Sequence, residues 1–167
     1  MSHLDPRIRE PKADDADWIT LACQDPEIQR WTRVPVPYLR EHAEHFVVVG
    51  TGALRSWVME NNHPDNHHHG LGTLAVHHLG EDGAAEVGYW VSPWARRQGV
   101  ATWALAEVRQ HVAAIAGATA ITLTIAVGNT ASRRTAERAG FVTETGYETM
   151  AVDLGRDVPA LRYRSTL

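Results

Sequence analysis

The sequence contains a single cysteine, Cys23, and has no long apolar run. A single cysteine cannot form an internal disulfide and offers no zinc-ligand spacing, so we expect Cys23 to be a small buried side chain. No stretch approaches the roughly 20 consecutive apolar residues that a membrane helix needs. The first residues are polar and lack the apolar segment of a secretory signal, which leads us to expect a cytoplasmic protein with no membrane partner.

The chain also lacks an excess of positive charge, since its net charge is -4. Nonspecific nucleic-acid binding requires a basic face, so we expect no nucleic-acid partner. The 167 residues, of which 44% are apolar and 22% charged, suffice for one buried core. We therefore expect a single domain over residues 1–167.

The spacing of the apolar residues predicts a mixed α/β order without repeats. Helices are predicted at residues 14–31, with a break at Pro26, and at 38–49, 100–115 and 130–139. Strands are predicted at 8–11, 56–60, 72–79, 85–91, 121–127, 141–147 and 161–165, with a tight turn at 80–83. In the helix at 100–115, one apolar stripe is predicted for Ala101, Leu105, Val108, Val112 and Ile115.

The loop before that helix has a definable chemistry. Its backbone N–H groups would point outward in succession at the positive end of the helix, at Arg97, Gln98, Gly99, Val100, Ala101 and Thr102. Gly99 and Ala101 leave room for a bulky anion, which suits a pyrophosphate. The loop alone fits equally well a plain strand-to-helix turn with two solvated arginines.

Two blocks resemble one known family. Arg96, Gly99 and Ala101 match the coenzyme-binding signature of the GCN5-related N-acetyltransferase superfamily, and residues 129–141 have its Asn, Ser and Gly-Phe spacing. The resemblance covers most of residues 7–165, and residues 31–37 and 86–90 further resemble the branch that acetylates ribosomal-protein amino termini. It implies a mostly antiparallel sheet of about six or seven strands with about four helices, acetyl-coenzyme A as co-substrate, and no metal.

The resemblance also implies roles for single residues on the strand before the loop and on the following block. Tyr89, Trp90 and Val91 would hold the pantetheine arm, with a backbone N–H near Val91 stabilising the oxyanion. Asn129 would touch the same arm.

Glu86 and Ser132 are the candidate catalytic residues. A lysine-like amine has a pKa near 10.4 and needs a base, and the related branch places a glutamate at the position of Glu86. Ser132 is the candidate acid for the leaving thiolate, because Ala136 stands where many family members have a tyrosine. Each has a structural alternative: a hydrogen-bonded carboxylate for Glu86, and a role in the first turn of a helix capped by Asn129 for Ser132.

Several further side chains have two possible roles. Trp31, Tyr38 and Trp57 would shape the acceptor pocket or fill the core. The arginines at 133, 134 and 138 would approach the coenzyme 3′-phosphate or form a solvated face. The histidines at 63 and 67–69 would bind a metal or form a solvated tract, and we expect no native metal site.

The sequence thus predicts an enzyme that moves an acetyl group directly to a primary amine, on a peptide amino terminus or a small molecule. Homodimers are common in the resembling branch. The alternative hypothesis is a catalytically silent domain that binds acyl-coenzyme A as a sensor or scaffold. A dinucleotide fingerprint at residues 70–75 is rejected, because the segment runs into a strand where that motif needs a helix.

Overall fold

The computed structural model of the protein describes residues 4–50, 52–63, 70–146 and 149–167. Within these ranges the chain forms eight strands and five α-helices. The strands are β1 (Pro6–Arg9), β2 (Arg55–Asn61), β3 (Gly72–Leu79), β4 (Ala84–Val91), β5 (Ala120–Ala126), β6 (Val142–Thr143), β7 (Thr149–Asp153) and β8 (Arg156–Thr166). The helices are α1 (Asp15–Ala22), α2 (Pro26–Trp31), α3 (Arg40–Val49), α4 (Val100–Ala113) and α5 (Thr130–Arg138), and a short 3-10 turn at Pro93–Ala95 precedes α4.

The described strands form one sheet in the order β1-β2-β3-β4-β5-β8-β6, and β7 pairs with β8. Each neighbouring pair is antiparallel except β4 and β5, which run parallel. The predicted fold class, a mixed α/β arrangement with a mostly antiparallel sheet, is confirmed.

The two faces of the sheet carry separate apolar cores. Side chains alternate along a strand, so Trp57 and Met59 of β2 face the α4 side whereas Val58 packs with α1–α3. On the α4 side, Leu74, Ile121 and Tyr163 are fully buried. Within the described ranges, no helix has the length and apolar character needed to cross a membrane.

Helix α4 confirms the prediction of a helix in this region and corrects two residues of the predicted stripe. Ile115 lies beyond the end of the helix at Ala113. The buried positions are Val100, Ala104, Leu105, Val108 and Val112, at the spacing of a helical stripe. Ala101 is only partly buried, and it lines a cavity instead of entering the core. The stripe is therefore rotated slightly from the predicted one, which leaves Ala101 available to a ligand.

Two differences from the predicted elements have local causes. The helix predicted at 14–31 is two helices, because Pro26 occupies the first position of α2 and Asp25 caps it. The strand predicted at 141–147 is reduced to β6, and Tyr147 lies outside the described residues. The hairpin of β7 and β8 was missed; its turn residues Leu154 and Gly155 have φ of 51° and 73°, as a type I′ turn requires.

Candidate active site

The sheet opens between its two parallel strands. Strands β4 and β5 pair from Ala84 to Glu86, opposite Ala120 to Thr122, and the remainder of each strand has no partner in the other. A bulge on the far side of β4 accompanies this opening, since β3 inserts one extra residue, His77, opposite the step from Val87 to Glu86. The result is a gap in the middle of the sheet.

A cavity of about 1300 Å³ occupies this gap and extends to both faces. It is lined by most of the residues that the sequence singled out, which are Trp31, Tyr38, Glu86, Tyr89, Trp90, Val91, Arg96, Arg97, Gly99, Val100, Ala101, Thr102, Asn129 and Ser132. The sequence separates these residues by as much as a hundred positions. The structure brings them to one opening.

The first turn of α4 lies at one end of the cavity. Arg97 has φ of 62° and Gly99 has φ of 79°, so the chain turns through two left-handed positions before the helix begins. Gly99 is the N-cap and has no side chain to accept from the N–H groups of Val100, Ala101 and Thr102. These donors and the positive end of the helix dipole form an anion site of the size of a phosphate group.

The side chain of Arg96 is engaged with another part of the chain. Its guanidinium binds both carboxylate oxygens of Asp25, with one N–O distance of 3.2 Å. Asp25 also caps α2, accepting from the N–H groups of Glu27 and Ile28 at 3.1 and 3.0 Å. Burial acts to raise the pKa of Asp25, but these bonds from Arg96 and the two amides outweigh it and hold the pKa below its usual value. Arg96 therefore fastens the anion loop to α2.

Gln98 turns its side chain away from the cavity. Its amide donates to the Trp94 carbonyl at 3.0 Å, which leaves the main chain of Gln98 for the anion loop.

Backbone N–H groups of β4 point into the gap. The Ser92 amide donates to the Leu71 carbonyl at 2.9 Å, so it faces away from β5. Because amides alternate along a strand, the N–H groups of Val91 and Tyr89 face the gap on the β5 side. An oxygen in the gap would find donors there.

Helix α5 presents a hydroxyl group to the same gap, where it meets a hydroxyl group of β4. Asn129 caps the helix, its side-chain oxygen accepting from the Ser132 amide at 3.2 Å. The Ser132 hydroxyl is free of that cap and lies 2.9 Å from the Tyr89 hydroxyl. Burial raises the pKa of Tyr89 even though hydrogen bonds with Ser132 and Thr135 oppose the change. The Tyr89 hydroxyl is thus protonated at neutral pH.

Glu86 lines the cavity and is the last residue of β4 that pairs with β5, so it lies where the gap begins. By strand alternation it shares a face with Gly88 and Trp90. Among the described residues, no hydrogen bond or ion pair holds its carboxylate. The structural alternative for Glu86, a fixed hydrogen-bonded carboxylate, therefore lacks a partner in the part of the chain described.

Aromatic side chains of α2 and of the loop before α3 form another wall of the cavity. Trp31 donates from its ring N–H to the Glu27 carboxylate at 3.0 Å, and both line the cavity. Tyr38 is 7% exposed and lies beside Cys23, which is 1% exposed. Burial raises the pKa of Cys23 to about 12, with a hydrogen bond from Tyr38 opposing it, so the thiol stays neutral. Cys23 is the small buried side chain that the sequence predicted.

Trp57 is not part of this wall. It is buried in the core on the α4 side, where its ring centroid lies 5.5 Å from that of His111. The prediction that Trp57 shapes the acceptor pocket is therefore wrong. The sequence around it is apolar on both faces of β2, so alternation alone does not show which face each residue takes.

The basic residues of α5 differ in what they contact. Arg133 is held by the Val127 carbonyl at 3.1 Å and the Tyr163 hydroxyl at 3.3 Å, whereas Arg138 lines the cavity. Of the predicted histidine tract, residues 67–69 lie outside the described ranges. Among the residues within them, no group of three or more His, Cys, Asp or Glu side chains is arranged to hold a metal ion.

The anion site at the start of α4 suits a diphosphate, and the adjoining gap lined by β4 amides suits a thioester. Together they favour an acyltransferase that uses a thioester carrier with a diphosphate. More specifically, residues 7–142 match the family described as "Acetyltransferase (GNAT) domain", and the chain belongs to that family. It is an acetyl-coenzyme A-dependent N-acetyltransferase, as the sequence predicted. No curated protein matches the sequence significantly.

Solved structures with the same fold are distant in sequence. The ribosomal-protein-S5-alanine acetyltransferase of Vibrio fischeri is 15% identical, with a TM-score of 0.78 over 99% of this chain and 95% of that one. Spermidine N-acetyltransferase of Vibrio cholerae, in complex with CoA and spermine, is 18% identical, with a TM-score of 0.77 over 96% and 95%. Mycobacterium smegmatis RimJ, in complex with CoA-disulfide, is 22% identical, with a TM-score of 0.77 over 96% and 81%. At these identities the likeness concerns the fold.

Proposed function

We propose that the protein acetylates a primary amine by direct transfer, with Glu86 as base, the Val91 amide as oxyanion donor and Ser132 as hydrogen-bond donor to the leaving sulfur. The observation that carries this proposal is the uncapped N-terminus of α4 opening onto a gap that has Glu86 at its other end. Acetyl-coenzyme A supplies the thioester, and its diphosphate fits the N–H groups of residues 100–102.

The residues around the gap fit the coenzyme on independent grounds. Three helix N–H groups have no side-chain cap, and a Cβ built on Gly99 meets nothing within 4 Å, so the anion can approach the main chain closely. The pantetheine arm would lie along β4, where the N–H group of Tyr89 faces the gap and is available. Arg138, which lines the cavity, would reach the 3′-phosphate.

Glu86 accepts a proton from the attacking amine, directly or through a water. A protonated amine has no lone pair, so the base must act before the bond to the acyl carbon forms. The carboxylate lines the same cavity as Trp31 and Tyr38, which form the proposed acceptor wall. Its negative charge also attracts a cationic amine into the pocket.

The Val91 N–H stabilises negative charge that develops on the acyl oxygen, as backbone donors do in oxyanion holes. Ser132 donates to the departing sulfur from the first turn of α5. Cys23 takes no covalent part, because its thiol is buried and its pKa of about 12 leaves almost no thiolate at neutral pH.

The acceptor is a primary amine of a peptide amino terminus or of a small molecule. Similar folds are named for both classes, spermidine in one case and a ribosomal protein in another. In this chain the acceptor wall combines the Glu27 carboxylate with aromatic rings, which suits an organic cation. The single domain over residues 1–167, the homodimer and the cytoplasmic location stay predictions, and sedimentation of the purified chain tests the dimer.

The test is a thiol-release screen with amino-terminal peptides, polyamines and aminoglycosides as acceptors. Glu86→Gln should lower kcat about a hundredfold at neutral pH, and the deficit should shrink as rising pH deprotonates the acceptor. Glu81→Gln, the same change in the exposed β3–β4 turn, is the matched control and should keep the full rate. A Glu86→Gln enzyme with the full rate at every pH contradicts the assignment. Coenzyme binding without thiol release from any acceptor would instead favour the sensor or scaffold.

A further inference from the structure

Two hydroxyl groups meet across the gap where β4 and β5 have separated. Tyr89 comes from β4 and Ser132 from α5, 43 positions later, and their oxygens are 2.9 Å apart. Both residues line the cavity. The hydrogen bond therefore joins two walls of the proposed active site at the point where the sheet itself no longer connects them.

Either hydroxyl of this pair can donate to the other. Burial raises the pKa of Tyr89, so the phenol keeps a proton to donate at neutral pH. When the phenol donates to Ser132, the serine accepts that bond with its oxygen, and the Ser132 proton is left for a ligand.

This arrangement addresses a weakness of serine as a hydrogen-bond donor. A serine hydroxyl at the start of a helix can turn to several acceptors, including backbone groups of its own turn. A donor on its oxygen selects one orientation and, by polarising the hydroxyl, strengthens the bond that serine makes in turn. Asn129 holds the backbone of Ser132 through its amide, and Tyr89 holds the side chain.

We propose that Tyr89 is a positioning residue for Ser132, which it holds from β4 so that the serine proton points at the sulfur of the leaving group. This inference rests on the proposed function. Glu86 passes the first proton of the ammonium group to solvent before transfer. In the transfer step the neutral amine forms the C–N bond, the C–S bond breaks, the electron pair leaves with the sulfur, and the second amine proton goes to Glu86. Ser132 stabilises the sulfur through its hydrogen bond, and Tyr89 keeps its own proton throughout.

A double-mutant cycle separates this role from simple packing. Tyr89→Phe keeps the ring and removes the hydroxyl, and it should lower kcat about fivefold, the effect of one neutral hydrogen bond, with KM for acetyl-coenzyme A unchanged. Ser132→Ala should lower kcat at least as much. Because the two act as a unit, the double variant should match Ser132→Ala. A full rate in Tyr89→Phe, or effects that multiply in the double variant, overturns the proposal.

Tyr163→Phe is the matched control. Tyr163 is buried and its hydroxyl contacts α5 through Glu137 at 3.3 Å, but it does not line the cavity. It should lower thermal stability and leave kcat unchanged. If Tyr163→Phe lowers kcat as much as Tyr89→Phe, the effect is a general loosening of α5 and the proposal fails.

A titration of bound coenzyme A tests the same contact without turnover. The ultraviolet absorbance of the thiolate, followed against pH, should show the bound thiol ionising at lower pH than free coenzyme A in the wild type. The difference should diminish in Tyr89→Phe and to at least the same degree in Ser132→Ala, and an unchanged titration in both variants overturns the proposal. If no acceptor supports thiol release yet these shifts occur, the proposed function fails and the positioning role stands.

Discussion

Asp25 connects two parts of the proposed active site, and its replacement makes a quantitative prediction. The carboxylate caps α2 through two backbone N–H groups and binds the guanidinium of Arg96 at the start of the anion loop. Asp25→Ala removes both functions. Asp25→Asn keeps an oxygen for the cap, since Asn and Asp are comparable N-caps, and removes the charge.

The magnitudes follow from exposure and geometry. Loss of an N-cap costs about 1 kcal/mol. The Arg96 side chain is 34% exposed and that of Asp25 14%, so the pair is partly screened by solvent, and it contributes about 1 kcal/mol, the upper part of the range for exposed pairs. Asp25→Ala should therefore lower the free energy of unfolding by about 2 kcal/mol, or Tm by about 4–8 °C in a chain of this size. Asp25→Asn should show about half of that.

Calorimetric melting at low and high salt separates the two contributions. Salt screens the ion pair and leaves the cap intact, so the gap between wild type and Asp25→Asn should narrow with salt. The gap between Asp25→Asn and Asp25→Ala should persist. Equal melting of all three proteins, or an asparagine variant as damaged as the alanine one at high salt, would refute the reasoning.

Three further variants or treatments test other parts of the structure. Burial acts to raise the pKa of Asp15, but hydrogen bonds from Arg9, Trp18 and the Lys12 N–H outweigh it and lower the pKa. The ionised carboxylate therefore stabilises the fold above about pH 3.9, and this stabilisation is lost as the pH falls through the lowered pKa of the folded protein. In urea unfolding, Asp15→Asn should cost about 3 kcal/mol at pH 7 and clearly less below pH 3, and a difference that does not change with pH would contradict this. Cys23 should react with iodoacetamide far faster in guanidinium than in the native protein at pH 8, as followed by mass spectrometry, and equal rates would disprove its burial. Gly72→Ala places a Cβ 2.1 Å from the Trp90 carbonyl oxygen at φ 151°, so denaturant unfolding should show a loss of about 2–4 kcal/mol in the free energy of unfolding. The control Gly146→Ala has open space around its Cβ and should lose about 1 kcal/mol. Equal losses in the two variants would exclude the clash.

Local periodicity predicted the elements whose apolar residues face one core. Helix α4 is the clearest case, because its buried stripe recurs at steps of three and four and its start follows a left-handed glycine. Strand β2 shows the limit. Trp57, Val58 and Met59 are each buried, in two different cores, so the apolar centre of the strand does not show which face meets which core.

The contacts that make the candidate site are remote in sequence, which is why residue patterns did not predict them. Arg96 and Asp25 are 71 positions apart, and Tyr89 and Ser132 are 43 apart. Neither pair leaves a periodic trace, because each depends on where separate elements meet at the gap in the sheet. The family resemblance located the two blocks, and only the fold showed that the Tyr89 hydroxyl faces Ser132.

The most direct test of the account is a calorimetric titration of the protein with acetyl-coenzyme A and, separately, with acetyl-pantetheine, which lacks the diphosphate and the 3′-phosphoadenosine joined to it. If the N–H groups at the start of α4 bind the diphosphate, acetyl-coenzyme A should bind at one site per chain. Acetyl-pantetheine should bind about a hundredfold more weakly or worse, which is the loss in affinity expected from two charge-assisted hydrogen bonds. Equal affinity for the two ligands, or no heat with acetyl-coenzyme A at millimolar concentration, would contradict the account.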